Sequence, residues 1–138
     1  MTSQKPARLT LLDGARSSLW YYPETKIIHH QFRSFVSGED FRGVLRRGLE
    51  AFKEHGAQKW LSDDRGYSAL SEEDGHWSMN EWSPQVIAAG WKYWAVVMPE
   101  KMIGQLSLRR WIKTYADMGV TVKTFTEPDE AMAWLESA

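Results

Sequence analysis

The chain has 138 residues, a length that suits one domain with a single hydrophobic core. Its formal net charge of −1 at pH 7 argues against a protein that binds nucleic acid or an anionic membrane through a basic surface. The sequence contains no cysteine, which excludes disulfides, thiolate nucleophiles and cysteine-bound metals.

The first twenty residues do not resemble a secretory signal. They hold Lys5, Arg8, Asp13 and Arg16 without an apolar segment between them. The longest apolar run, residues 93–98, is far too short to span a bilayer. We therefore expect a cytoplasmic protein without a transmembrane segment, in which residues 1–5 form a flexible N-terminus.

The first part of the chain predicts three strands and one helix. Apolar and β-branched residues mark strands at 8–12, 19–22 and 26–32, and Pro23 indicates a turn between the second and the third. Ser37 is predicted to cap a first helix, which carries an apolar face and ends at Gly56.

The remainder alternates between strands and helices. Strands are predicted at 58–62, 92–98 and 120–125. A second helix runs from its cap at Ser71 to Gly90, a third ends before Gly119, and a closing helix opens at Thr126. This order predicts an α/β fold over residues 1–138, a single domain. Its mixed β-sheet has an antiparallel opening hairpin and packs against about four α-helices.

Short motifs between residues 59 and 100 resemble those of a known family. In order they are K-W-L-S-D from residue 59, S-E-E-D from residue 71 followed by Trp77, E-W-S-P from residue 81, A-A-G from residue 88 and V-M-P-E from residue 97. With the order of elements over residues 19–137, they make the chain resemble the STAS domain of anti-sigma-factor antagonists. The resemblance is closest to the SpoIIAA-like branch and its single-domain bacterial STAS-like proteins.

This resemblance implies a regulatory, non-catalytic protein that binds other proteins. In STAS regulators, phosphorylation of a serine or threonine after the strand that here ends at Ser62 switches partner binding. The corresponding position here is Asp64 or Arg65, neither of which accepts a phosphoryl group as serine does. Ser62 and Ser68 are the nearby hydroxyl candidates. The SpoIIAA-like branch also resembles CRAL-TRIO lipid carriers, so a small apolar or amphiphilic ligand is the alternative.

The sequence Asp63-Asp64-Arg65 follows a predicted strand, at the sheet edge where open α/β proteins bind ligands. It is a solvated turn with an Asp–Arg pair or an Asx-turn, a contact for a partner or ligand, or a Mg²⁺ site between the two carboxylates. His29 and His30 are neighbours on a strand, so they point to opposite faces and cannot chelate one ion. We predict no metal site, no cofactor and no enzymatic activity.

Two charged clusters have a purely structural interpretation. The run of acids from Glu72 to Asp74 suits the first turn of a helix because the helix dipole favours negative charge there. Arg42 and Arg46, interleaved with acids, are typical of the solvent-facing side of the first helix.

A few apolar side chains are left over once the helical core faces are filled. Trp77 points away from the stripe that contains Trp82, and Met102 and Leu106 project away from the stripe that contains Trp111. Such groups indicate a contact surface for a protein partner, a second copy of the chain or an apolar ligand, unless loops or the closing helix cover them.

The predicted binding surface combines these groups with the acidic-basic loop. Its polar groups, which would orient a bound partner, are Asp63, Asp64 and Arg65. Its apolar anchors are Tyr67 and Trp77. Met102 and Leu106 extend it along the third helix. Its partner is expected to be an unidentified protein or a second copy, giving a homodimer, rather than nucleic acid.

Overall fold

The computed structural model describes residues 7–138, so the N-terminus expected to be flexible, residues 1–5, lies outside the described residues. Six strands form one sheet in sequential order. They are β1 (Leu9–Asp13), β2 (Ser17–Tyr22), β3 (Ile27–Phe32), β4 (Lys59–Asp63), β5 (Tyr93–Val97) and β6 (Thr121–Phe125). The first three strands are antiparallel and the last four run parallel, which confirms the predicted mixed sheet with its antiparallel opening.

Helices cover both faces of the sheet, but unequally. They are α1 (Glu39–His55), α2 (Glu72–Trp77), α3 (Ser83–Ala88), α4 (Met102–Asp117) and α5 (Pro128–Ser137). Because each parallel strand is added on the same side of the previous one, right-handed crossovers place α1 to α4 on one face. Only α5 packs on the other face, where it buries Ala131 and Leu135 against β4 and β5.

The local capping signals are confirmed at α2 and shifted by one residue at α1. Ser71 is the N-cap of α2, and its Oγ accepts a hydrogen bond from the backbone N–H of Asp74 at 3.2 Å. The N-cap of α1 is Gly38 instead of the predicted Ser37, and Gly38 adopts a positive φ of 60°. Glycine tolerates that conformation at no steric cost.

The segment from residue 71 to residue 90 is not one regular α-helix, and here the prediction was wrong. A π-helical segment, Ser78–Trp82, separates α2 from α3, and the N–H of Ser83 donates to the carbonyl of Ser78. Pro84 follows directly and has no N–H to donate to a carbonyl one turn earlier. A π-helical turn before a proline is a common way for a helix to accommodate the missing backbone hydrogen bond.

Tryptophan fills the larger core, between the sheet and α1 to α4. Trp60 lies at its centre, stacked on Phe52 at a ring-centroid distance of 5.7 Å and edge-on to Trp82 at 5.4 Å. Two glycines make room for indoles. A Cβ at Gly48 would overlap the ring of Trp60, and one at Gly75 would overlap the ring of Trp111. These helices can approach the indoles only because both positions lack a side chain.

Candidate functional site

The larger core contains a cavity of about 60 Å³ between the sheet and the helices. Its wall includes five indoles and a smaller polar patch at the carboxyl ends of β3 and β4. The indoles are those of Trp60, Trp82, Trp91, Trp94 and Trp111, and the polar patch includes His30, Ser62 and Asp64. The cavity therefore combines a mostly aromatic lining with a carboxylate.

His30 and Asp64 form a buried pair in this wall. His30 Nε2 lies 2.8 Å from Asp64 Oδ1, and the indole Nε1–H of Trp60 donates to His30 Nδ1 at 2.9 Å. An indole can only donate, so Nδ1 carries no proton and the proton of the neutral imidazole is on Nε2. His30 thus donates to Asp64 as a neutral group, and it leaves the carboxylate without a cationic partner among the described side chains.

Three hydroxyls around the cavity also have partners. Ser62 Oγ accepts from the indole of Trp94 at 2.7 Å, and the Tyr115 hydroxyl donates to Ser78 Oγ at 3.1 Å. The Tyr67 hydroxyl donates to the carbonyl of Val36. Burial raises the pKa of Tyr115 to about 12 and raises the pKa of Tyr67 further. Both tyrosines are therefore neutral hydrogen-bonding groups at neutral pH.

Asp63 lies on the opposite face of the sheet from Asp64, because consecutive residues of an extended chain point to opposite sides. Arg65 binds the Asp63 carboxylate with Nε at 3.0 Å and Nη2 at 2.9 Å. Both aspartates are only 3% exposed, so the turn is not solvated, but its Asp–Arg pair exists and the backbone N–H of Arg65 donates to Asp63 Oδ1 at 3.4 Å, as in an Asx-turn. The two carboxylates do not converge on one ion. Residues 7–138 hold no cluster of three or more potential metal ligands.

His29 shares the face of Asp63, so the adjacent histidines do point apart as predicted. Its Nδ1 lies 3.1 Å from the hydroxyl of Tyr22, and its buried Nε2 has no hydrogen-bond partner within residues 7–138. Burial lowers the pKa of His29 to about 3 from its ordinary 6.5. His29 is therefore neutral at neutral pH.

Asp74 is a buried junction rather than an ordinary first-turn acid. Its carboxylate accepts from the backbone N–H of Gly38 at 3.0 Å, from Ser71 Oγ at 2.9 Å and from Arg42 Nε at 3.2 Å. These bonds tie the start of α1 to the start of α2. The interpretation of Asp74 as serving only the helix dipole, and of Arg42 as purely solvent-facing, was incomplete for this reason.

Trp77 is half-buried, on the outside of the larger core. Its ring meets the edge of Phe41 at 6.5 Å, and the guanidinium groups of Arg42 and Arg46 lie 5.3 Å and 5.2 Å from its centroid. The irregular π turn that follows changes the helical geometry on which its predicted direction depended. Two arginines and Phe41 thus cover part of Trp77.

The start of α4 carries a cluster of exposed apolar side chains, here called the α4 patch. Met102 is 66% exposed, Ile103 68% and Leu106 61%. Spacings of three and four residues place them on one side of the helix. Sequence reasoning named Met102 and Leu106 but missed Ile103, which the helical spacing to Leu106 could have revealed.

The loop that follows β4 packs against the α4 patch from the side. A Cβ at Gly104 would come within 2.9 Å of the carbonyl oxygen of Ser68, so the close contact requires glycine. The hydroxyl of Ser107 bonds to the backbone of Leu70, and Arg110 pairs with Glu72 at 3.1 Å. Loop and helix therefore present one continuous surface.

Sequence reasoning also missed the pairing of His30 with Asp64. The parallel register of β3 and β4 sets His30 opposite Ser62 and Gln31 opposite Asp63, which brings Asp64 to the end of β3. A histidine in one strand and an acid just past its neighbour were visible in the sequence. The register that joins them was not.

Comparison with known proteins identifies the family. Neither a curated protein nor a solved structure matches the chain. No helix within residues 7–138 is long and apolar enough to cross a membrane. The profile of the SpoIIAA-like family matches residues 27–136, which covers β3 to β6 and the helices that connect them. The chain belongs to the SpoIIAA-like family, a regulatory family with the fold of anti-sigma-factor antagonists.

Proposed function

We propose that the chain is a single, non-catalytic regulatory module that binds a protein partner through the α4 patch and the loop beside it. The observation that carries the proposal is the exposure of Met102, Ile103 and Leu106, each above 60%, on two adjacent turns of one helix. Clustered apolar side chains on a surface mark sites of protein contact more often than isolated ones do.

The loop would supply the polar rim of this surface. Ser68 is half-buried and can reach a bound partner, whereas the Arg65 side chain pairs with Asp63 on the opposite face of the sheet. Tyr67 is 4% exposed and supports the loop from beneath. Of the two nearby hydroxyls, we favour Ser68 as a modification site, because Ser62 is 1% exposed and holds the indole of Trp94.

The alternative of a lipid carrier has less support. An apolar cavity of about 150 Å³ accommodates benzene, and the cavity beside Asp64 measures about 60 Å³. To enter this cavity, a lipid-sized amphiphile would need a large rearrangement of the aromatic core. We therefore base the function on the surface.

Site-specific photocrosslinking in the native cell tests this proposal. With a photoreactive amino acid at Leu106, we expect one dominant adduct, whose mass identifies either a second copy of the chain or a different protein. Met118 is the matched control, because it is a 39% exposed apolar residue just past the other end of α4. Equal adducts from both positions, or none from any residue of the α4 patch, would contradict the proposal.

A charge in the patch should then abolish the contact without unfolding the protein. With the photoreactive group at Ile103, Leu106→Glu should lower the adduct yield about tenfold, because a carboxylate would be buried at an apolar contact. Met118→Glu should leave the yield unchanged. Thermal unfolding of both variants should match the wild type, since neither side chain is part of the core.

A further inference from the structure

We propose that the cavity beside Asp64 binds a small organic cation, about the size of ammonium or a methylammonium ion. The proposal concerns the interior of the protein and does not depend on the α4 patch. It rests on three features: the charge at Asp64, the absence of available donors among most of the lining indoles, and the volume.

The polar chemistry of the cavity favours a ligand that donates hydrogen bonds. His30 is held neutral by the indole of Trp60 and donates its one proton to Asp64 Oδ1. Arg65, the nearest cation in the sequence, is bound to Asp63 on the opposite face of the sheet. The Asp64 carboxylate is 3% exposed and faces a cavity that no cationic side chain of residues 7–138 lines, so a positively charged donor would satisfy it most strongly.

Most indole N–H groups of the wall already have acceptors, so they do not compete with such a ligand for the Asp64 carboxylate. Four of the five indoles donate their N–H groups to acceptors within the protein: Trp60 to His30, Trp82 to the carbonyl of Leu45, Trp91 to the carbonyl of Tyr93 and Trp94 to Ser62. What these rings still offer the cavity is their aromatic surface.

The ring orientations make that surface suitable for a cation. Trp60 and Trp82 stand at 87° to each other, as do Trp94 and Tyr115. In a box of such steeply inclined rings some faces point inward, and aromatic faces attract cations, as in the aromatic cages that bind methylated ammonium groups.

The size of the cavity limits the ligand to a few heavy atoms. Its volume of about 60 Å³ is well below the roughly 150 Å³ of an apolar cavity that holds benzene. The wall includes Tyr67 and Leu70 from the loop, and Ser78 and Trp82 from the π segment. Segments of π-helix occur frequently at functional sites.

The eight tryptophans provide an internal test in the wild-type protein. We would titrate ¹⁵N-labelled protein with ammonium, methylammonium and tetramethylammonium chlorides and follow the indole N–H resonances. Sodium chloride and methanol serve as the ionic and the uncharged controls. Saturable shifts at the five cavity tryptophans, with Trp20, Trp77 and Trp134 unaffected, would support the proposal. No saturable shift, or the same shift with sodium chloride or methanol, would overturn it and leave the cavity a site for water.

A charge-neutral substitution then tests the role of the carboxylate. Asp64→Asn keeps the shape of the side chain and should weaken binding of methylammonium about tenfold. Asp129→Asn, on α5 across the sheet, should leave the affinity unchanged. Unchanged affinity in Asp64→Asn would overturn the assignment. If that variant does not fold, the wild-type titration still decides between a cation and water.

Discussion

Two neighbouring histidines show how strongly one residue's surroundings determine its chemistry. His29 and His30 differ by one position in β3, yet they face opposite sides of the sheet. His30 is fixed as a neutral donor by Trp60 and Asp64. Within residues 7–138, the His29 ring has Tyr22 as its one hydrogen-bond partner, and burial holds it neutral.

His29 should make the protein less stable as the pH falls. Its folded pKa of about 3 lies below its ordinary 6.5, so between these values the unfolded chain binds a proton that the folded chain does not. The free energy of unfolding is therefore unaffected by His29 above pH 6.5. It falls below that pH by at most about 1.4 kcal/mol per pH unit.

Urea unfolding between pH 7 and pH 4.5 measures this effect. His29→Gln should flatten the pH dependence, because glutamine does not titrate. His76→Gln, at an exposed position on α2, should retain the wild-type slope. A slope that survives in His29→Gln would show that other groups cause the loss of stability.

At the scale of elements, helix α1 contains two glycines with opposite surroundings. A Cβ at Gly43 would meet no heavy atom within 4 Å, whereas one at Gly48 would overlap the ring of Trp60. Both positions lie inside the helix, where glycine is unfavourable compared with alanine. The same substitution should therefore have opposite effects at the two sites.

Gly43→Ala should raise the free energy of unfolding by about 0.5–1 kcal/mol, through helix propensity alone. Gly48→Ala should lower it by about 1–3 kcal/mol, because the added methyl group must displace the central indole. Chemical denaturation of both variants checks the pair. Stabilisation by Gly48→Ala would mean that Trp60 has room to move.

Features that depend on residues close together in the sequence could be predicted, whereas contacts between distant residues could not. The cap at Ser71 and the exposure of Leu106 follow from residues three or four positions away, and such signals can be read directly. Asp74 looked like a first-turn acid because its partner Gly38 lies 36 positions earlier. His30 and Asp64 likewise meet only through strand register. The elements were predictable, but the contacts that assemble the site were not.

For the whole molecule, the sequential strand order determines which parts of the sheet are most stable against local opening. β3 and β4 have neighbours on both sides, and their side chains contribute to both cores. β1 and β6 are the two edges of the sheet, and most of their side chains are exposed or half-buried. Local opening should therefore begin at the edges.

Native-state hydrogen exchange should show this gradient. We expect the amides of β3 and β4 to exchange only through global unfolding, and those of β1 and β6 to exchange through smaller openings with lower free energies. The buried strand β2 is the matched internal comparison for its neighbour β1. Equal protection across all six strands would contradict this view and indicate a single cooperative unit.

The aromatic core also affects how this protein absorbs light. Trp60, Trp82, Trp91 and Trp94 follow one another with ring centroids 5.4–5.5 Å apart at each step. Indoles this close and steeply inclined share their electronic excitations, so they contribute coupled bands to the far-ultraviolet circular dichroism. Helix content read from that spectrum would be distorted. The same bands would report directly on whether the tryptophan chain is intact.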